Sequence, residues 1–184
     1  MTYKTFDILG KEIVQHDLQD KGEWCEKGAS FEEVFIGRYP DLALTINPEK
    51  QGNIYAPDLS YIENGKYADL KTQNTPFFLS QSKYGIDPQY AVTFNEKDFL
   101  RYRENYPGID IYFWVDWQAI SFVGAMEISV KPMIGVWQLK YTDMLKLVAS
   151  APLHSYIQRI GDQKGNAKGS FVLDLNAEGF SRIG

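Results

Sequence analysis

A chain of 184 residues, 44% of them hydrophobic, is sized for one compact domain, because a second would leave both cores thin. One cysteine, Cys25, and two histidines, His16 and His154, exclude an internal disulfide, a cysteine-rich zinc site and the familiar zinc-ligand spacings. The net charge of -5 counts against a uniformly basic nucleic-acid surface, but it is uneven: residues 1–120 carry 12 basic and 19 acidic groups, residues 121–184 carry 7 and 5.

The opening residues have no apolar run ahead of a cleavage site, and no stretch approaches the ~18 to 20 apolar residues of a membrane span. A cytoplasmic protein without a membrane partner is therefore expected. Cys25 reads as a small buried apolar residue rather than a nucleophile.

In chain order, a short helix or strand is expected around Phe6 to Gln15, then a helix from about Glu23 to Tyr39, stopped by Pro40. At 100° per residue Trp24, Phe31, Val34 and Phe35 share one arc and form its core stripe; Glu32 lies at the edge and Glu33 faces solvent. A strand near Leu42 to Ile46 follows. Ile54 to Ile62 and Tyr67 to Gln73 read as strands around Asn64-Gly65, the strongest short hairpin signal. Thr75 to Pro88 is an irregular or partly helical crossing. Tyr90 to Phe94 is a strand, Glu96 to Tyr106 a helix, and Ile109 to Trp117 a long strand rich in β-branched and aromatic residues. Strands near Ile120 to Gly124 and Met133 to Gln138, a helix Thr142 to Ser150, a glycine-rich loop Gly161 to Gly169 and a strand Phe171 to Leu175 complete the chain. This order indicates an α/β sandwich with a central mixed sheet flanked by helices.

The hairpin carries the chemistry. With Asn64-Gly65 as a two-residue turn, Ser60 faces Asp69 and Asp58 faces Lys71. Side chains alternate along a strand, so Asp58, Asp69 and Lys71 project from one side, the carboxylates diagonal and roughly 7 Å apart between backbones. Two carboxylates suit a hard divalent cation such as Mg²⁺, and a nearby lysine can orient or deprotonate an attacking water. Without a metal, Asp58 and Asp69 would together hold Lys71, and such a cross-strand Asp–Lys salt bridge on an exposed face is also the plain structural alternative.

Pro57-Asp58, ten intervening residues and Asp69-Leu70-Lys71 resemble the proline–aspartate, aspartate/glutamate–x–lysine signature of the restriction-endonuclease-like nuclease superfamily. The run Lys27 to Glu32 resembles the superfamily's preceding helix, and Gln73 matches a glutamine found two places past the lysine in some branches. The resemblance covers about residues 23 to 117, leaving 118–184 as a C-terminal elaboration of a single nuclease domain. It implies a Mg²⁺-dependent nuclease (with Mn²⁺ able to substitute) acting on duplex DNA, and by analogy a homodimer. It further implies that Asp58, Asp69 and Glu32 hold the metal with the Leu70 carbonyl, and that Lys71 serves the water.

For substrate phosphates, Gln73, Arg101 and the loop lysines Lys164 and Lys168 are the contacts singled out. Lys83 and Arg103 are further candidates, and a surface basic residue is more often merely solvated. The loop lacks the strand–loop–helix setting of a nucleotide-binding P-loop. Tyr112, Phe113, Trp114 and Trp117 read as core, and His154 as a loop histidine able to assist as proton donor. Two rivals stand beside the nuclease: a catalytically inactive nuclease-like binding or assembly module, and a phosphodiesterase of small nucleotides.

Overall fold

In the computed structural model, which describes residues 3–13, 31–155 and 169–184, the long aromatic and β-branched run becomes the central strand, β7 (Asp110–Asp116). Its side chains do not alternate in polarity because both faces are covered. Ile111, Phe113 and Val115 join one core with Val92, Phe94, Met144 and Leu173. Tyr112 and Trp114 pack on the other side with Phe35, Leu59 and Leu70.

A six-stranded mixed sheet surrounds β7 in the order β13 (Phe180–Arg182), β10 (Ile134–Leu139), β7, β5 (Tyr67–Gln73), β4 (Leu59–Tyr61), β3 (Leu44–Ile46). Its β5–β7 pair is parallel and therefore needs a crossover. That connection contains α2 (Ser80–Tyr84), β6 (Ala91–Asn95) and α3 (Glu96–Asn105). β6 belongs to a three-stranded antiparallel sheet with β12 (Gly169–Asp174) and β11 (Leu153–Ser155). Four short strands, β2 (Glu12–Ile13), β1 (Lys4–Phe6), β8 (Ser121–Val123) and β9 (Glu127–Ser129), form a third sheet. A last helix, α4 (Tyr141–Ser150), buries Met144 and Val148. The chain is thus a mixed α/β protein around a central mixed sheet. Among the described residues no helix is long and apolar enough to cross a membrane.

Residues 31–38 are helical, here α1, and they correct the expected core stripe. Phe35 is fully buried, but Phe31 and Val34 are 39% and 52% exposed. Phe35 sits 5.7 Å from both the Tyr112 and Trp114 rings, whereas Phe31 meets only the edge of Trp114 at 6.1 Å. Docking on those two large side chains turns the buried face toward Glu32, Phe35, Ile36 and Tyr39, so that Glu32 is inside and Glu33 outside. Trp24 and Cys25 lie outside the described residues.

The expected strand from Ile54 to Ile62 is real only at Leu59–Tyr61. Residues before it form a 3-10 turn (Pro48–Gln51) and two further turns, with Asn53 accepting from the Tyr55 and Ala56 backbone amides. The asparagine competes with extended pairing through local hydrogen bonds. By contrast, α3 falls where its signals lie. Asn95 caps it by accepting from Lys97 N, and Phe99 and Tyr102 anchor its buried face.

Phe113 is the strongest single test of this core, lying between Phe94 at 6.2 Å and Phe180 at 5.5 Å. Phe113→Ala should cost about 3–5 kcal/mol. Urea unfolding should show a lower midpoint with little change in slope.

Candidate active site

The hairpin register differs from the two-residue-turn expectation. Ser60 pairs with Tyr67 and Leu59 with Ala68. The loop contains four residues, since Tyr61 N donates to Lys66 O at 2.8 Å and Gly65 N to Tyr61 O at 2.9 Å. A two-residue type I′ turn needs positive φ at both central residues. Only Gly65 provides it, with φ of +68°, while Asn64 instead accepts a side-chain hydrogen bond from Lys66 N. The register is displaced by two positions, and an even displacement preserves faces. Asp58, Asp69 and Lys71 consequently stay together, with Asp58 one step beyond the last pair and opposite Asp69. Asp58 N donates to Asp69 Oδ1 at 3.2 Å.

The site lies where β4 pairing with β5 ends. Asp69, Lys71 and Gln73 run beside Ile111, Phe113 and Val115 of β7, on the sheet face covered by α3. Glu32 arrives from α1, which packs on the opposite face through Phe35, and it feels the charges of Asp69 and Lys71 through the fork. Lys66 O points at Tyr61, and strand carbonyls alternate, so the Leu70 carbonyl points to the same side of β5. The residue opposite it is Pro57, which has no amide hydrogen to offer.

Four carboxylates and three cations meet here. Lys50 pairs with Asp58 and lies 3.4 Å from Glu32. Lys71 Nζ lies 2.7 Å from Asp69 Oδ2 and 2.6 Å from Asp98 Oδ2, and Arg101 binds the other Asp98 oxygen at 2.7 Å. The expected clamp of Lys71 by Asp58 and Asp69 is therefore corrected: Asp98 replaces Asp58, because Lys50 already occupies Asp58. The ring of Tyr102 lies 5.7 Å from Lys71 Nζ and 5.1 Å from the Arg101 guanidinium. Asp69 is 1% exposed, and its Oδ2 contacts Lys71 off the line of a hydrogen bond.

Asn47 fixes the approach to the site. Buried, it donates from Nδ2 to Pro57 O at 2.9 Å, its backbone amide donates to Asp58 O at 2.9 Å, and its Oδ1 accepts from Glu49 N. One residue thereby ties the segment bearing Asp58 to the turn bearing Lys50.

Electrostatics set the protonation states. Burial alone would lower the Lys71 pKa, but Asp69 and Asp98 overcome it and hold the ammonium charged well above the ordinary range. Lys71 thus stands as an ammonium ion between its two carboxylates. Burial raises the Glu32 carboxyl above 4.5, and Lys50 opposes the rise.

The remaining candidates separate. Arg101 reaches the site through Asp98. Gln73 donates to Thr93 O at 2.7 Å and accepts from Thr93 N at 3.3 Å, so its amide joins β5 to β6. His154 stands on β11 with Nδ1 2.7 Å from the Tyr84 hydroxyl and the Phe77 ring tilted against it at 4.9 Å; burial, then Lys83, lowers its pKa. The Arg103 guanidinium covers Phe99. Lys164, Lys168 and His16 lie outside the described residues. Lys50, Asp98 and Asn47 were missed by sequence reasoning. Asp98 sits in the first turn of an expected helix, an ordinary place for an acid, while Lys50 and Asn47 fall in an expected loop.

The donor set suits a hard cation. It consists of carboxylate and carbonyl oxygens without sulfur or histidine, and it includes a buried carboxylate oxygen lacking a hydrogen bond. No group of three or more histidine, cysteine, aspartate or glutamate side chains among the described residues is gathered closely enough to hold a metal. The chain matches no protein-family model, no curated protein and no solved structure.

The raised Glu32 pKa has a sign. As pH rises through the window above 4.5, the unfolded chain loses this proton first, so Glu32 makes the fold less stable with rising pH. Glu32→Gln should lessen that decline. Thermal melts between about pH 4 and 8 should show a variant at least as stable as the parent at the upper end.

Proposed function

We propose that this chain is a metal-dependent nuclease hydrolysing phosphodiester bonds of duplex DNA, built as a restriction-endonuclease-like domain. The observation that carries the reading is the meeting of Glu32, Asp58, Asp69 and Lys71, from three separate segments, at one fork in the sheet. The similarity of Pro57-Asp58 and Asp69-Leu70-Lys71 to the superfamily signature supports it.

Asp58 and Asp69, with Glu32 and the Leu70 carbonyl, would hold Mg²⁺ or Mn²⁺. When bound, the cation would neutralise phosphate charge and acidify a water. Lys71, kept charged by Asp69 and Asp98, donates hydrogen bonds that orient the attacking water and stabilise negative charge developing on the phosphate. Asp98 positions Lys71 and Arg101 together, and Arg101 presents its charge toward the substrate backbone. Lys164 and Lys168 add sequence-independent attraction. A homodimer would let two such sites cut both strands.

A second reading has its own observation. Lys50 and Lys71 already neutralise the carboxylates, as they would in an inert salt-bridged binding module. Cleavage of plasmid and linear duplex DNA in Mg²⁺, Mn²⁺ or chelator separates the two. The nuclease should cut only with metal, and Asp69→Asn and Lys71→Met should each lower the rate by roughly a hundred- to a thousandfold while remaining folded. Equal turnover by Lys71→Met would remove Lys71 from the mechanism. No cutting of duplex, branched or single-stranded DNA or of RNA would favour the binding module.

A further inference from the structure

Two lysines divide the carboxylates of the site, and they are held differently. Lys71 sits between Asp69 and Asp98 beneath the Tyr102 ring, on a strand paired with β7 from Ala68 to Gln73. Lys50 sits on a single 3-10 turn, with 31% of its side chain exposed, between Asp58 and Glu32. Those two carboxylates are among the groups assigned above to the cation, so the Lys50 ammonium stands where positive charge is required.

We propose that Lys50 is a resident counter-ion which the metal displaces, and that the released ammonium then binds the substrate phosphate. This inference rests on the metal-dependent reading. Lys50 is the lysine that leaves, because its partly exposed side chain gives it a path to solvent and its four-carbon chain can reorient without moving the backbone. Asn47 keeps that backbone fixed, capping the turn through Glu49 N while holding Pro57 O. The adjacent Glu49 carboxylate is turned to Tyr67, its Oε1 accepting from that hydroxyl at 2.6 Å. With a dication among Glu32, Asp58 and Asp69, Lys50 is repelled from its old partners. The phosphate brought to the metal then offers Lys50 a new anionic partner. Metal and substrate binding are then coupled through one side chain, which opposes the first and assists the second.

Removing the charge should consequently move two affinities in opposite directions, a signature that a merely structural ion pair would not give. Mn²⁺ titration by calorimetry should find Lys50→Met binding about tenfold tighter than the parent protein. Binding of a fluorescein-labelled duplex oligonucleotide, with Ca²⁺ present, should be about tenfold weaker. Lys50→Gln serves as the second variant and should behave in the same way, with circular dichroism melts confirming that each is folded. Unchanged or weaker Mn²⁺ binding by a folded variant overturns the displacement. Tighter Mn²⁺ binding with unchanged oligonucleotide binding overturns the transfer to phosphate. Absence of Mn²⁺ binding in the parent and both variants overturns the metal-dependent reading itself, a failure distinct from the other two.

Discussion

A buried carboxylate must be met by positive charge or give up its own, because desolvation costs more than the interior returns to an unpaired ion. Two buried carboxylates, Glu32 and Asp69, and two partly buried ones, Asp58 and Asp98, share the fork between β4 and β5, and the surrounding structure is arranged around their neutralisation. Lys50, Lys71 and Arg101 supply three charges against four. Every segment reaching the fork therefore brings a charge, a clamp on a charge, or an apolar face that holds one in position.

Packing makes the fork possible. β7 is buried on both faces, and α1 and α3 dock on opposite sides of the sheet it centres. Glu32 comes from one layer and Asp98 from the other, while β5 carries Asp69 and Lys71 between them. Stopping the β4–β5 ladder at Leu59 opens a route between the layers. Pro57 contributes to that stop by lacking an amide hydrogen, and Asn47 holds the departing chain in place. Local sequence, sheet register and site chemistry are thus linked at Pro57-Asp58.

Much of the frame was legible in the chain because its signals are local. Asn95 before Glu96 starts α3, and the apolar run around Phe113 marks a doubly covered strand. The joint face of Asp58, Asp69 and Lys71 was recoverable even with the wrong turn length, since the register error was even. The rotation of α1 was not recoverable: Phe31 and Phe35 are equally apolar, and the choice between them is made by Tyr112 and Trp114 more than seventy residues away. The same holds for Asp98 and Lys50. Each looks like a solvated surface charge until the tertiary fold sets a partner beside it, which is why the lysine clamp was assigned to Asp58 rather than Asp98.

On the proposed reading, this charge balance gives way to a divalent cation. Crystals of the protein soaked in Mn²⁺, measured for anomalous scattering, test it most directly. A peak is expected at the fork, bound by Asp58 and Asp69 oxygens at about 2.1 Å, a typical hard-cation distance, with the Lys50 ammonium withdrawn from Asp58. A fully soaked crystal with no peak there, and with both lysine ion pairs intact, would contradict it.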